Sequence, residues 1–265
     1  MNGRKFSLFN IEGKSILVTG ATGYLGSELS ISLAHQGAHV YVNSRTLTKC
    51  KELVSLIESN GGKATVACFD VTNRNEIEKF AEEIDIIDVI VNNSYSGAGG
   101  NIKSSTEEDY LNSYKSSIVA SSNLLQLLLP SLRKAVIING YASIINISSM
   151  YGLVSPDQRI YDSVEGTNPP FYGAAKSALI QWTKYAACEF AKEKIRINCI
   201  SPGPFPSDIA QKKSPGLMSE IVKKVPMGRF GKPSELVGPV IFLSSTASSF
   251  MSGANLTVDG GWTCW

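Results

Sequence analysis

Short apolar runs alternate along the chain with segments in which apolar residues recur every three or four positions. The first run, residues 15–18, breaks into a glycine-rich turn, and Leu25, Leu29 and Leu33 then mark a helix that ends near Gly37. Further strands are predicted at residues 38–43, 63–69, 88–91, 143–147, 196–200 and 255–258. Further helices are predicted at residues 47–61, 77–84, 107–129, 171–191 and 235–244, the third of them stopped by Pro130. Because strands that alternate with helices form parallel sheets, we predict an α/β fold, a doubly wound parallel sheet with helices on both faces.

The alternation continues from one end of the chain to the other. It contains no internal repeat, low-complexity tract or linker, so residues 1–265 are predicted to form one domain. The polar, proline-containing stretch 204–232 is expected to be a mobile segment with a short helix.

Composition excludes several classes of partner. The hydrophobic content of 43% and the charged content of 18% are those of an ordinary globular protein. A net charge of +2, with no block of basic residues, argues against a nucleic acid or an acidic membrane surface as partner. The longest apolar runs are too short to cross a bilayer.

The cysteines and histidines are few and scattered. Five cysteines without a C-x-x-C pair, and no signal peptide in residues 1–10, predict reduced thiols in a cytoplasmic protein. His35 and His39 are the only histidines, and they are expected at a helix end and in a strand. Neither a metal site nor a Ser-His-Asp triad is therefore predicted.

Glycines at 20, 23 and 26 stand where the first strand hands over to a helix. This pattern lets backbone approach a pyrophosphate at a helix N-terminus, although it is also typical of a tight turn with close helix packing. The second strand ends in Asn43, Ser44 and Arg45, without the acid that would favour NAD. A cation beside a hydroxyl suits the 2′-phosphate of NADP, unless Arg45 is simply a solvated residue at a helix start.

Tyr172 and Lys176 are four residues apart in a predicted helix, so their side chains share one face. A lysine held against a tyrosine favours the phenolate and lowers the pKa of the phenol, which would make Tyr172 a general acid/base. The same spacing also occurs by chance on the exposed face of many amphipathic helices.

Taken together with Asn92-Asn93, Ser149 and Pro202-Gly203, these motifs resemble the short-chain dehydrogenase/reductase family over about residues 11–262. The resemblance implies a single NAD(P)-binding Rossmann domain. The chain's length and its ending Val258-Asp259-Gly260-Gly261 resemble the single-domain branch, whereas the glycine spacing resembles the longer branch that modifies sugar nucleotides.

The resemblance also implies roles for particular residues. Tyr172 would exchange a proton with a carbonyl or alcohol, Lys176 would lower its pKa and hold the nicotinamide ribose, and Ser149 would bond the substrate oxygen. The residues implied to bind the cofactor, NADP(H) in preference to NAD(H), are Gly20, Thr22, Gly23, Tyr24, Leu25, Gly26, Ser44, Arg45, Asp70, Val71, Asn92, Asn93, Tyr172, Lys176, Pro202, Gly203 and Ser207.

Three features depart from the family pattern. The usual Asn-Asn-Ala-Gly is Asn92-Asn93-Ser94-Tyr95, and the usual helix asparagine should fall near Ser117, which puts a proton relay through that position in doubt. The Ser149–Tyr172 spacing is also enlarged by a polar insertion at about residues 155–170. It is either a solvated loop or a substrate-binding loop in which Arg159 would meet a carboxylate or phosphate. Its polar residues are Asp157, Gln158, Arg159, Tyr161, Asp162 and Glu165.

The insertion is similar to family members in bacterial surface-sugar and flagellin-glycan pathways. We therefore expect an oxidoreductase that interconverts a secondary alcohol and a carbonyl on a polar, sugar-like small molecule. The alternatives are a cofactor-binding sensor or scaffold without turnover, and a sugar-nucleotide epimerase or dehydratase. Family members of this size form homodimers or homotetramers, and the same is expected here.

Overall fold

A computed structural model describes residues 8–97, 99–164 and 166–265. Glu165 of the polar insertion and most of the segment inspected for a signal peptide lie outside these ranges. Within them the chain forms a seven-stranded sheet, all parallel, in the order β3-β2-β1-β4-β5-β6-β7. The strands are β1 (Ser15–Val18), β2 (His39–Ser44), β3 (Lys63–Cys68), β4 (Val89–Asn92), β5 (Ala142–Ile147), β6 (Ile195–Pro202) and β7 (Asn255–Val258).

Helices connect the strands. They are α1 (Tyr24–His35), α2 (Leu47–Ser59), α3 (Arg74–Glu83), α4 (Glu107–Tyr114), α5 (Ala120–Asn139), α6 (Pro170–Phe190), α7 (Asp208–Lys213), α8 (Pro215–Lys224) and α9 (Val237–Ser244), with a π-turn, Lys115–Val119, between α4 and α5. Among the described residues no helix combines the length and the apolar character needed to cross a membrane.

Side chains on the central strands alternate between two hydrophobic cores. Ile16 and Val18 of β1 join one core, and Leu17 between them joins the other. This alternation follows from the two-residue period of a strand, and it requires helices on both sides of the sheet. The doubly wound α/β prediction is therefore confirmed.

The strand order reverses between β1 and β4. In open parallel sheets the crevice for a ligand forms at the carboxyl ends of the strands beside such a reversal. The glycine turn after β1, Asn93 after β4 and Ser149 after β5 all lie at this edge. The fold thus collects residues that are far apart in sequence.

The predicted helix stop at Pro130 is wrong. Pro130 lies inside α5, which continues to Asn139. An internal proline removes one backbone hydrogen bond and costs about 3 kcal/mol. Pro130 is exposed, whereas Leu128, Leu132 and Ala135 around it are fully buried, and their packing holds the helix together.

The stretch 204–232 contains two helices, α7 and α8, where one was expected. Ile221 of α8 packs on a small cluster with Met150, Tyr151 and Tyr172. The stretch therefore forms one wall of the crevice. His35 and His39 lie at a helix end and in a strand, as predicted.

Candidate active site

Two concavities meet at the carboxyl edge of the sheet. A groove of about 670 Å³ lies over the glycine turn, and a cleft of about 450 Å³ lies over Tyr172. Tyr95 and Phe205 line both of them. A molecule that extends along the groove can thus place one end beside Tyr172.

The glycine turn is held by close backbone contacts. Gly20 has φ +62°, a conformation that favours glycine, and a Cβ on Gly26 would overlap the Gly20 carbonyl oxygen. Asn93 Nδ2 donates to the carbonyl oxygens of Thr19 and Gly20 at 3.0 and 3.3 Å. Asn93 therefore fixes the turn and also lines the groove.

The N-terminus of α1 fits a pyrophosphate. Gly23 is the N-cap residue and contributes no side-chain hydrogen bond, and the first turn carries no acidic residue. Thr22, Gly23, Tyr24 and Leu25 line the groove. Uncapped amides and the positive end of a 12-residue helix favour an anion at this point.

A cationic rim lies at the far end of the groove. Ser44 and Arg45 line it as predicted, together with Thr46 and Lys49 at the start of α2. Arg45 is 67% exposed and lies 3.9 Å from Asp70. The sequence interpretation missed Lys49, although its place in the first turn after Arg45 was a usable signal. These two cations and two hydroxyls fit a 2′-phosphate.

Two predicted cofactor residues do not line the groove. The Asp70 carboxylate accepts from the Thr72 amide and hydroxyl, both at 2.8 Å, whereas its neighbour Val71 lines the groove. Asn92 donates to Asn146 Oδ1 at 2.8 Å and is buried behind the groove. Both side chains therefore shape the backbone around the groove.

Pro202 ends β6 beside the last strand, and Gly203 follows it directly. A Cβ on Gly203 would lie 2.5 Å from Asp259 Cα, so this close approach requires glycine. The chain then leads to Phe205 and Ser207, which line the groove. The Ser207 hydroxyl also caps α7 by accepting from the Ala210 amide at 3.3 Å.

The three predicted catalytic side chains lie together. Ser149 follows β5, and its hydroxyl lies near that of Tyr172, which is in the first turn of α6. The same hydroxyl accepts from the Tyr151 amide at 3.1 Å. Lys176 lies one turn further, and its Nζ donates to the Ile147 carbonyl at 2.8 Å. Ser148 instead donates to the Lys176 carbonyl at 2.8 Å and is buried. Ser149 is thus the serine that reaches the phenol.

The pKa of Tyr172 differs from the sequence expectation. Burial raises it above its ordinary value, and the nearby Ser149 hydroxyl only partly opposes this. Burial also lowers the pKa of Lys176 to about 8, and Cys199 only partly opposes this effect. The predicted depression of the Tyr172 pKa by Lys176 is therefore not found, because both groups are desolvated together.

The buried ammonium makes stability depend on pH. Between about pH 8 and the ordinary lysine value of 10.5, the unfolded chain keeps the Lys176 proton that the folded protein has lost. The free energy of unfolding of the wild type should therefore rise with pH in this window. Measured against Lys176→Met, the free energy of unfolding of the wild type should increase by roughly 1–3 kcal/mol across this window. Urea unfolding of both proteins at several pH values measures it.

Lys184→Met, on the exposed side of the same helix, is the control for this experiment. The free energy of unfolding of Lys184→Met should differ from that of the wild type by the same amount at every pH in the window. If the difference in free energy of unfolding between Lys176→Met and the wild type were also independent of pH, the lowered pKa of Lys176 would be contradicted.

A small cavity lies behind Lys176. It is lined by Asn92 and by Ser117, which is in the π-turn where the family asparagine was expected. Asn92 Oδ1 and Ser117 Oγ are buried and, among the described residues, have no hydrogen-bond partner. The π-turn thus brings a hydroxyl to the lysine where an asparagine was expected.

The polar insertion contributes to the cleft, but not through Arg159. The Arg159 side chain is 86% exposed, and its guanidinium makes two bonds to Asp157, at 2.8 and 2.9 Å. The prediction that Arg159 meets the substrate is not supported by this placement, because its charge is already paired outside the cleft. Asp157 also accepts from Lys224 of α8 at 2.6 Å, which ties the insertion to the wall formed by 204–232.

Aromatic residues dominate the cleft, and sequence reasoning missed most of them. Tyr151 and Tyr161 bond to each other through their hydroxyls at 3.2 Å. Burial raises the pKa of both phenols, so they stay protonated. The other aromatic or polar side chains that line the cleft are Tyr95, Thr167, Asn168, Tyr172, Phe205 and Phe230.

Comparisons with known proteins agree with this geometry. A family model described as enoyl-(acyl carrier protein) reductase matches residues 20–263. The 5-keto-D-gluconate 5-reductase of Escherichia coli K12 is 31% identical over 260 residues, which are 96% of this chain and 97% of that protein. The 3-oxoacyl-(acyl-carrier-protein) reductase FabG of Thermotoga maritima is 31% identical over 255 residues, with coverage of 95% and 98%.

A solved structure of a related protein has a similar fold. The gluconate 5-dehydrogenase of Burkholderia cenocepacia J2315, in complex with NADP and tartrate, superposes with a TM-score of 0.86 and 27% identity. The match covers 97% of this chain and 98% of that one. The chain belongs to the short-chain dehydrogenase/reductase family.

Proposed function

We propose that the protein is an NADP(H)-dependent oxidoreductase that interconverts a secondary alcohol and a carbonyl on a polar, sugar-like substrate. The observation that carries this proposal is the meeting of groove and cleft beside Tyr172, with the Ser149 hydroxyl near its phenol. The bound nicotinamide would supply or accept the hydride. All other parts of the reaction would be carried out by residues of this chain.

Tyr172 is the proposed general acid/base. Its raised pKa keeps the phenol protonated near neutral pH, so in the direction of reduction it can donate a proton to the carbonyl oxygen. Ser149 would hold the same oxygen. Lys176 lies one turn away, and with a pKa of about 8 it would carry a positive charge beside the phenolate that forms.

The cationic rim supports NADP over NAD. Because Arg45 is largely exposed, its contribution to binding a phosphate should be modest, about tenfold in affinity. Arg45→Ala and Lys49→Ala should each weaken NADPH binding by about this factor and change NADH binding little. Fluorescence titration with both cofactors measures this selectivity.

Lys51→Ala is the matched control for the rim, since Lys51 is exposed on the same helix outside the groove. Equal losses of NADPH and NADH affinity in the Arg45 and Lys49 variants would contradict a phosphate-binding rim.

The lining of the cleft supports a polar substrate. Phenol hydroxyls with Thr167 and Asn168 offer hydrogen bonds, and the aromatic faces can pack on the C–H groups of a sugar. The relatives that act on 5-keto-D-gluconate and on gluconate point the same way.

The test is NADPH oxidation by the purified protein with keto-sugars, keto-acids of sugars and 3-oxoacyl thioesters. Turnover with a keto-sugar supports the proposal. Turnover with the thioesters alone would overturn the substrate class and leave the oxidoreductase.

The two alternative functions make different predictions. A sensor or scaffold would bind NADPH and oxidise none of the panel. An epimerase or dehydratase would convert a sugar nucleotide with no net change in NADPH absorbance. A cytoplasmic location and a homodimeric or homotetrameric assembly remain predictions, to be checked by cell fractionation and by light scattering.

A further inference from the structure

We propose that Tyr95 and Ser113 form a positioning pair that fixes the catalytic tyrosine, an inference that rests on the proposed function. Tyr95 follows β4, at the place where the family pattern has glycine. Ser113 is in α4, on another side of the cleft. Neither residue was singled out as functional from the sequence.

The ring of Tyr95 packs directly on the ring of Tyr172. Their centroids lie 4.7 Å apart at an interplanar angle of 72°, an edge-to-face arrangement. Tyr95 lines both the groove and the cleft, so its ring forms part of the boundary between them. The orientation of the Tyr172 ring therefore depends on where Tyr95 is held.

A chain of two hydrogen bonds holds Tyr95. Ser113 Oγ donates to the Phe171 carbonyl at 3.1 Å, and this bond uses its single proton. The Tyr95 hydroxyl, 3.1 Å from Ser113 Oγ, must then be the donor of the second bond. Phe171 directly precedes Tyr172, so the chain connects Tyr95 to the turn of α6 that carries the catalytic phenol.

The pair also borders the catalytic lysine. Lys176 Nζ lies 5.1 Å from the centroid of the Tyr95 ring and 5.7 Å from that of Tyr172, so the ammonium is near two aromatic faces. The titratable groups around Tyr172 are Tyr95 after β4, Tyr151 after β5, Lys176 on α6 and, beneath that lysine, Cys199 of β6. The Tyr95 ring packs on the Tyr172 ring and also lies near the Lys176 ammonium.

The two components of the contact can be removed separately. Tyr95→Phe breaks only the bond to Ser113 and keeps the ring, whereas Ser113→Ala keeps the ring and breaks both this bond and the bond to the Phe171 carbonyl. Tyr95→Leu removes the ring and admits water beside Tyr172. Displacing a reacting group by about 1 Å can cost as much as 100-fold in rate. A loosened but intact ring should therefore cost about 3- to 30-fold in kcat, with the KM values for both substrates changed little.

The first arm of the experiment is a double-mutant cycle in kcat. The double variant should lose no more than Ser113→Ala alone, because without the Ser113 hydroxyl the Tyr95 hydroxyl has no bond to Ser113 left to lose, and Tyr95→Phe should lose the same or less. Tyr110→Phe is the control, since Tyr110 also packs on Phe171, with ring centroids 5.8 Å apart. Losses that multiply in the double variant, or a rise in KM alone, would overturn the positioning role.

The second arm does not need turnover. Tyrosine labelled with carbon-13 at Cζ reports each phenol by NMR, and Tyr172→Phe assigns the Tyr172 signal. Burial is the main cause of the raised Tyr172 pKa, so water admitted by Tyr95→Leu should lower the titration midpoint of Tyr172 by about half a pH unit or more. A midpoint equal to that of the wild type would overturn the proposal. This arm decides about Tyr95 even if the substrate panel contradicts the proposed reaction.

Discussion

Replacing Tyr172 by phenylalanine is expected to lower kcat by about 10²- to 10⁴-fold, the range that general acid–base groups contribute. The substitution removes the hydroxyl that lies near Ser149 and leaves the ring, which packs on Tyr95. NADPH should bind with nearly unchanged affinity, because the groove over the glycine turn is untouched. Steady-state kinetics with the best substrate of the panel, and NADPH fluorescence titration, measure the two quantities.

Tyr185→Phe is the control for this substitution. Tyr185 lies on the same helix and is 70% exposed, so its hydroxyl should not matter for turnover. The raised pKa of Tyr172 also predicts a direction. Reduction needs the protonated phenol, so the rate of reduction should fall only at alkaline pH, as the phenol ionises. Wild-type rates from Tyr172→Phe would refute its role as acid.

Replacing Gly26 by alanine is expected to disrupt both the fold and the cofactor groove. The added Cβ would overlap the Gly20 carbonyl oxygen and lie 2.9 Å from Ala21 Cα, and both are backbone atoms that cannot swing aside. Overpacking of this kind costs about 1–3 kcal/mol or more. The free energy of unfolding should fall by that amount, and NADPH binding should be lost as α1 moves away from the turn.

Gly238→Ala separates this clash from the general effect of alanine in a helix. Gly238 is in α9, and a Cβ there meets no atom within 4 Å. Alanine should leave stability unchanged or raise it by about 0.5–1 kcal/mol. Urea unfolding of both variants tests the pair. Equal stability of the Gly26 and Gly238 variants would show that the turn can relax around a methyl group.

The parts of the protein that sequence predicted well are those with a local signature. Apolar runs located the strands, because strands buried on both faces read as continuous apolar stretches, and helical spacing located the helices. Ser149 was placed by the end of a strand, and Tyr172 with Lys176 by one helical turn. Parallel strands then bring their carboxyl ends to a common edge, so these residues converge without further information.

The remaining features depend on contacts between distant segments. Tyr95 meets Tyr172 across 77 positions of chain, and no local pattern marks that approach. Arg159 was assigned to the substrate because its charge was visible, whereas the carboxylate that pairs with it was not weighed as a partner. The helix continues through Pro130 because buried apolar residues around it pack on the core. The rule that proline ends a helix considers only the local sequence and takes no account of such packing.

The ion pair between Asp157 and Lys224 has a consequence for anyone who wishes to redesign this enzyme. The two segments that it joins both face the cleft. A graft that exchanges one segment for that of a relative with another substrate would leave either a carboxylate or an ammonium without its partner. Changing what the cleft accepts should therefore require the two segments to be transplanted together, with the ion pair kept or removed as a unit.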